Sequence, residues 1–495
     1  MAKAGIFPHP ELADSSISEL RARLESGELS AVRLAEMHLE RMAAIDRAGP
    51  ALRSIIELNP DASRIAEELD RERAQGRVRG PLHGIPVVVK DNIDTADRMQ
   101  TSAGSLALVG SPAAADAPLV RRLRDAGAVI LGKTNLSEWA NFRSTRSSSG
   151  WSGRGRQTLN PHVLDRSPAG SSSGSAAAVA AGLAPIAVGT ETDGSIISPS
   201  HLCGVVGFKP ALGSISQSGI VPIAASQDTA GPHGRTVADA ALLFAVLAGR
   251  PPVTLDGTAL RGRRIGVLRE PFCGYSEHAD AVYEVALAGL REAGAVLVDP
   301  VEIETIAELR SSEVERVVLL HEFKAGLDAY LAGRKGVPVR TLADVIEFNL
   351  GHAAEEMPYF RQELLEKAQA TTGLEAAEYL AAASQARELA GARGIDATLA
   401  RHDLDALVAP SGAPAFVIDR VDGDRWLGGS SGPAAVAGYP NLTVPAGLAL
   451  GRLPVGLNIF GARDREEDIL AYGHAFEVVT MARRTPGFLP TLDLP

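Results

Sequence analysis

Residues 167–200 read SPAGSSSGSAAAVAAGLAPIAVGTETDGSIISPS. From 176 to 188 the side chains are mostly alanine and glycine, with Pro185 near the end. Side chains this small fill an interior only where neighbouring backbone comes close, so the run predicts a tightly packed core helix leading into a strand. The serines and glycines around it carry a second implication. A serine among glycines can sit where backbone amides reach a substrate, yet its hydroxyl is a poor nucleophile until another group takes its proton. The stretch holds no histidine; His201 follows only after its last serine.

Around this run, strand and helix patterns alternate. PLHGIPVVVKDNIDT holds a β-branched run at 85–89 that ends at Lys90, and APLVRRLRDAG followed by AVILGKTN reads as helix, glycine stop and strand. LAPIAVGTE, GVVGFKP, TVADAALLFAVLAG, RRIGVLRE, DALVAPSGAPAF and PVGLNIFG continue the series. Such alternation predicts an α/β layered fold with a large mixed, mostly parallel sheet flanked by helices. The first 75 residues read as helical, with a helix beginning near Asp61, so residues 1–80 are expected to form an N-terminal helical region packed on a core of 81–495. Within that core, residues 301–400 carry a charged helical pattern and read as an insertion covering the sheet. HAAEEMPYFRQE, within it, is the stretch expected at the entrance to a site.

Composition narrows the function classes. A formal net charge of −11 over 495 residues argues against a nucleic-acid partner, which would want clustered lysine and arginine. Only Cys203 and Cys273 occur, so a disulfide framework is not expected and a cytoplasmic location fits best. MAKAGIFPHPELADSS lacks the apolar segment of a secretory signal, and no run approaches the roughly 18 apolar residues of a membrane span.

Several motifs compete for the chemistry. GAVILGKT at 127–134 fits a phosphate loop, but the residues between its glycines are apolar and read as the strand itself. GSSSG centres Ser172 in a nucleophile-elbow pattern, yet the preceding RQTLNPHVLDRSPAG is loop-like where an elbow needs a strand. His474 falls in a helical pattern, and His83, His162, His201 and His233 have no partners at metal-ligand spacing, so no metal site is indicated. What remains is Lys90 at the end of an apolar strand and serines in two glycine-rich loops. A buried lysine can act as a base if its amine stays neutral. ETDGS supplies successive backbone amides before Ser195, as an oxyanion hole requires.

These segments, with TSAGSLAL, VILGKTNLSEWA and SQDTAGP, resemble the amidase signature family in order and spacing from about residue 15 to the C-terminus. SSGWSGRG, GTETDGSI and LLHEFKAGLDAYL are most similar to its bacterial peptide amidase branch, which removes the amide from C-terminally amidated peptides. The resemblance implies a Ser–cis-Ser–Lys triad: Lys90 as base, Ser171 as relay after a cis bond from Gly170, and Ser195 as nucleophile. The amides of Thr192, Asp193, Gly194 and Ser195 are candidates for the oxyanion hole, with Gly170 and Ser172 in support. No metal or organic cofactor is implied, and the expected partner is a small-molecule or peptide amide. Ala169 and Ser173 replace glycines of the family pattern. Asp193 stands where many relatives have glycine and Ile197 where many have arginine, so both are expected to bear on substrate choice. The alternatives are a broad aryl acylamidase or carbamate hydrolase, the glutaminase component of a tRNA-dependent amidotransferase, a non-catalytic binding protein and an esterase.

Overall fold

The computed structural model describes residues 7–493. In chain order its strands are β1 (Ile55–Leu58), β2 (Pro86–Lys90), β3 (Val129–Thr134), β4 (Trp151–Ser152), β5 (Arg156–Gln157), β6 (Ile186–Glu191) and β7 (Val206–Lys209). Then come β8 (Thr229–Gly234), β9 (Arg264–Leu268), β10 (Val296–Val301), β11 (Ala406–Pro410), β12 (Asn441–Ala449) and β13 (Leu453–Phe460). β4 and β5 form a small ribbon; the rest make one eleven-stranded sheet in the order β1-β3-β2-β6-β8-β7-β12-β13-β11-β9-β10.

The sheet is mixed and helix-flanked, and its parallel share is smaller than the alternation of elements implies. Parallel pairing joins β3, β2 and β6 on one side and β11, β9 and β10 on the other. Between these groups, β6, β8, β7, β12, β13 and β11 pair antiparallel. Two causes are local. The short turn between β12 and β13 makes them a hairpin, which is antiparallel by necessity. β8, with the sequence TAGPHG, slides between β6 and β7 without any strand-like pattern to announce it. A Cβ at Gly231 would lie 2.2 Å from the Phe208 carbonyl oxygen, so a bare residue is needed there.

The small-residue run becomes helix Ser173–Ala180 and then β6, and every residue of both is buried. At the start of the helix a Cβ on Gly174 would lie 2.2 Å from the Ser54 carbonyl oxygen and 2.6 Å from that of Asn135. The helix thus wedges its first turn between the chain entering β1 and the chain leaving β3. Its other end is met from the N-terminal region. Arg41 is buried and donates to the carbonyl oxygens of Ala181 and Gly182 at 2.7 and 3.0 Å, supplying partners that a helix C-terminus lacks.

The N-terminal region contains helices Ile17–Glu25, Ala31–Arg41 and Ala62–Ala74. Ser16 and Glu19 form a reciprocal capping box at the first of them. Leu20, Leu24 and Leu34 share a hydrophobic cluster with Val87, Val89 and Phe244 of the core. The reading of the first 75 residues as helical needs one correction: β1 lies among them, antiparallel to β3 at the sheet edge. Four residues are too few to show a period. After β10, helices run from Ile306 to His402, the longest being Val314–Gly333. No helix among the described residues is long and apolar enough to cross a membrane. Both cysteines are free.

Candidate active site

Lys90 ends β2, whose Pro-Val-Val-Val run is fully buried between β3 and β6. Its side chain is therefore carried into the interior. The Nζ atom lies 2.7 Å from Ser171 Oγ, 2.9 Å from Thr190 Oγ1 and 3.2 Å from the Thr190 carbonyl oxygen. Asn92 Nδ2 donates to the same Thr190 hydroxyl at 3.0 Å. Burial drives the ammonium down to about 7 from its ordinary 10.5, against the opposing pull of the Asp228 and Glu191 carboxyls. The amine is thus substantially neutral just above neutrality.

Ser171 follows a cis peptide bond from Gly170. Ser137 closes over this turn: its N–H donates to the Ser171 carbonyl oxygen at 3.1 Å. A Cβ at Gly170 would lie 2.1 Å from Ser137 Oγ, so only glycine fits. Ala169 sits at φ +56°, which accounts for glycine in the family pattern. Ser173, the other departure, donates its hydroxyl to the Ala169 carbonyl oxygen at 2.6 Å. Ser172 Oγ donates to the Thr190 carbonyl oxygen at 2.9 Å and accepts from the Thr190 N–H at 3.2 Å. Its hydroxyl is committed to backbone, its N–H donates to the Ser195 carbonyl oxygen at 3.1 Å, and among the described residues no histidine bonds to it.

Ser195 lies in the loop between β6 and helix Ile197–Cys203 and is 7% exposed, whereas Ser171 and Lys90 are fully enclosed. Among the described residues, its hydroxyl makes no hydrogen bond with protein. The N–H groups of Thr192, Asp193, Gly194 and Ser195 likewise donate to no protein acceptor, while those of Ile196 and Ile197 are taken by Glu191 Oε2 at 2.7 and 3.0 Å. Four successive free amides beside an unengaged hydroxyl are what a developing oxyanion needs. Thr192 is anchored from behind: its hydroxyl donates to Asp228 at 2.5 Å and its carbonyl oxygen accepts from Gln227 Nε2 at 3.3 Å. Asp228 also accepts the N–H groups of Ile223 and Ala224.

The other motifs resolve into structure. The phosphate-loop lookalike is β3, and its Lys133 is buried, donating to the Ile93 carbonyl oxygen and to Thr101 Oγ1. In the segment before GSSSG only Arg156–Gln157 is strand among the described residues, in the β4–β5 ribbon, and no strand runs into the turn, so no elbow forms. His201 spans Ala413 and Gly456, and His162 reaches the Cys203 carbonyl oxygen. Among the described residues no three His, Cys, Asp or Glu side chains cluster as metal ligands would.

Two cavities adjoin the loop. One of about 300 Å³ is lined by Gly170, Gly194, Ser198, Phe416 and Asp424, the other of about 510 Å³ by Arg310, Glu313, Glu315 and Arg316; Asp193, Trp426 and Ser431 line both. Two expectations change here. Asp193 is exposed to these spaces, whereas Ile197 is fully buried and lines neither. The insertion contributes residues 306–316 and not HAAEEMPYFRQE, whose Phe360 packs against Trp151 and Arg143 instead. Five site residues were not expected from the sequence: Thr190, Asn92, Gln227, Ser431 and Trp426. The first three stand inside the motifs GTETDGSI, KDN and SQDTAGP, so the segments were conspicuous although these side chains were not. Ser431 and Trp426 lie outside every motif.

A deeply buried lysine, two serines and a row of free amides on this sheet define an amide-bond hydrolase. The chain belongs to the amidase family, whose model matches residues 36–470. The structure of native peptide amidase from Stenotrophomonas maltophilia is similar at 52% identity and a TM-score of 0.91, covering 97% of this chain and 99% of that one. A probable amidase of Arabidopsis thaliana is 38% identical over 501 residues, 97% of this chain and 92% of the plant protein. A glutamyl-tRNA(Gln) amidotransferase subunit of Chloroflexus aurantiacus is 35% identical over 494 residues, 95% of this chain and 97% of that protein.

Proposed function

We propose that the chain removes the terminal amide from C-terminally amidated peptides, with Ser195 as nucleophile, Ser171 as proton relay and Lys90 as base. The observation that carries the chemistry is the 2.7 Å approach of a buried, depressed-pKa Lys90 amine to Ser171, beside a loop with four free amides. A neutral amine has two hydrogens and one lone pair. Thr190 offers two acceptors for the hydrogens, its carbonyl oxygen and its hydroxyl, which leaves the lone pair for the Ser171 proton.

The substrate carbonyl sits on the amides of 192–195. Ser195 Oγ attacks its carbon, its proton passes to Ser171 Oγ, and the Ser171 proton passes to Lys90 Nζ. The tetrahedral oxyanion collapses, the C–N bond breaks, and the same route returns a proton to the nitrogen, releasing ammonia. Water then attacks the acyl-Ser195 ester with the relay again as base, releasing the peptide acid and regenerating the hydroxyl. Similarity to the Stenotrophomonas peptide amidase supports the peptide amide as substrate, and so does the room beyond Asp193, which exceeds what acetamide or a single small amide needs.

Similarity to the Chloroflexus amidotransferase component favours a second reading, glutamine hydrolysis. Glutamine is zwitterionic: the exposed Asp193 carboxylate opposes its α-carboxylate but attracts its α-ammonium, so turnover decides between the readings. The deciding experiment is a turnover panel of C-terminal peptide amides, aryl acylamides, a carbamate and glutamine on wild type and Ser195→Ala. Ammonia release from peptide amides by wild type alone is the expected outcome. Glutamine hydrolysis without peptide-amide turnover would remove the reading.

A further inference from the structure

Asp193 stands where the two cavities meet, two residues before Ser195. A carbonyl seated on the free amides of 192–195 brings the substituents of its α-carbon, only two bonds away, toward this side chain. Asp193 Oδ1 accepts from one neutral partner, Ser431 Oγ, at 2.6 Å. Glu315, which lines the larger cavity, accepts from Gln227 Nε2 at 2.8 Å, again a neutral donor. The cations lining the same cavity are engaged elsewhere. Arg316 pairs with Glu313, and Arg310 lies over the Phe272 ring and donates to the carbonyl oxygens of Pro271 and Gly429. Two carboxyl groups therefore face this space; the charges of Arg310 and Lys209 reach Asp193 through space, but among the described residues no cation forms an ion pair or hydrogen bond with it. The tension is visible in Glu315, which burial and the Asp193 charge together push up to about 8. A positive charge lodged there would relieve it.

We propose that Asp193, supported by Glu315, determines specificity by receiving an ammonium group on the acyl portion of the substrate. The ammonium comes either from the free α-amino group of an amino-acid or short-peptide amide, or from the side chain of a basic residue next to the scissile bond. The inference rests on the peptide-amide reading of the site. It bears on the end of the reaction too: hydrolysis leaves a carboxylate in place of a neutral amide, and repulsion from Asp193 helps the product depart.

The test measures kcat and KM for leucinamide, N-acetyl-leucinamide and N-acetyl-lysinamide on wild type, Asp193→Asn and Glu315→Gln. Each charged substrate is read as a ratio of kcat/KM to neutral N-acetyl-leucinamide within one enzyme preparation, so partial misfolding of a variant cancels. Wild type should prefer at least one ammonium substrate by about tenfold. Asp193→Asn should cut that ratio at least about fivefold, mainly through KM, with a smaller cut in Glu315→Gln. A fall confined to leucinamide identifies the α-ammonium, and one confined to N-acetyl-lysinamide the side chain. Wild-type ratios near one, or ratios that both variants leave unchanged, overturn the proposal. Should Asp193→Asn yield no active protein, the wild-type and Glu315→Gln ratios decide. Failure of wild type on all three amides would instead sink the peptide-amide reading, which these arms keep separate.

Discussion

At the scale of single residues, Lys90 carries the most consequence. Its folded pKa of about 7 lies below the ordinary 10.5. Between those values the unfolded chain holds a proton that the folded chain does not, so this group's contribution to stability rises with pH across the window and is lost as pH falls through it. Activity should follow the same titration, with kcat/KM dropping as the pH is lowered through about 7; a pH–rate profile with an acid optimum would contradict Lys90 as base. Lys90→Met should lower kcat by roughly 1000-fold or more while raising the melting temperature at pH 7, a trade typical of buried functional charges. Ser172→Ala tests a milder role. It removes the two bonds between the Ser172 hydroxyl and Thr190, the residue that orients the lysine, and kcat should fall about tenfold without loss of Ser195 acylation. Lys90 was legible because an apolar run ends on it, and the serines because glycines surround them. Thr190 was not, since its contact with Lys90 spans 100 positions and nothing local marks it.

Among the elements, helix Ser173–Ala180 and β6 are the part most fully written in the residues, because small side chains admit few other environments. Gly174→Ala should therefore be severe. The added carbon meets two backbone carbonyl oxygens that cannot move aside, and a loss of roughly 3 kcal/mol or more, measured by urea unfolding, is expected. Ser16→Ala, which breaks only a surface capping box, should cost about 1 kcal/mol by the same measurement. β1 and β8 were illegible for different reasons. β1 is four residues long at an edge, and β8 is built of Gly, Pro and His held by its neighbours rather than by its own propensity. The reach of residues 306–316 into the larger cavity was hidden too, since charged helices look alike whether they face solvent or a site.

For the whole molecule, the α/β class followed from the alternation of patterns, and the antiparallel centre did not, because pairing direction is set by how distant strands meet. The N-terminal helices are bound into this arrangement through Arg41 and through Leu20, Leu24 and Leu34 in the main cluster. Unfolding should accordingly appear as one calorimetric transition, and a chain beginning at residue 81 should be insoluble or inactive. A separate low-temperature transition belonging to the N-terminal region would contradict that coupling.

In the proposed mechanism Ser195 carries the acyl group during turnover. Rapid quenching of the wild-type enzyme with an amidated peptide, followed by digestion and mass mapping, tests it directly. An acyl adduct is expected on Ser195, absent from Ser195→Ala and accumulating poorly in Lys90→Met. An adduct on Ser172, or peptide-acid formation in Ser195→Ala at the wild-type rate, would contradict it.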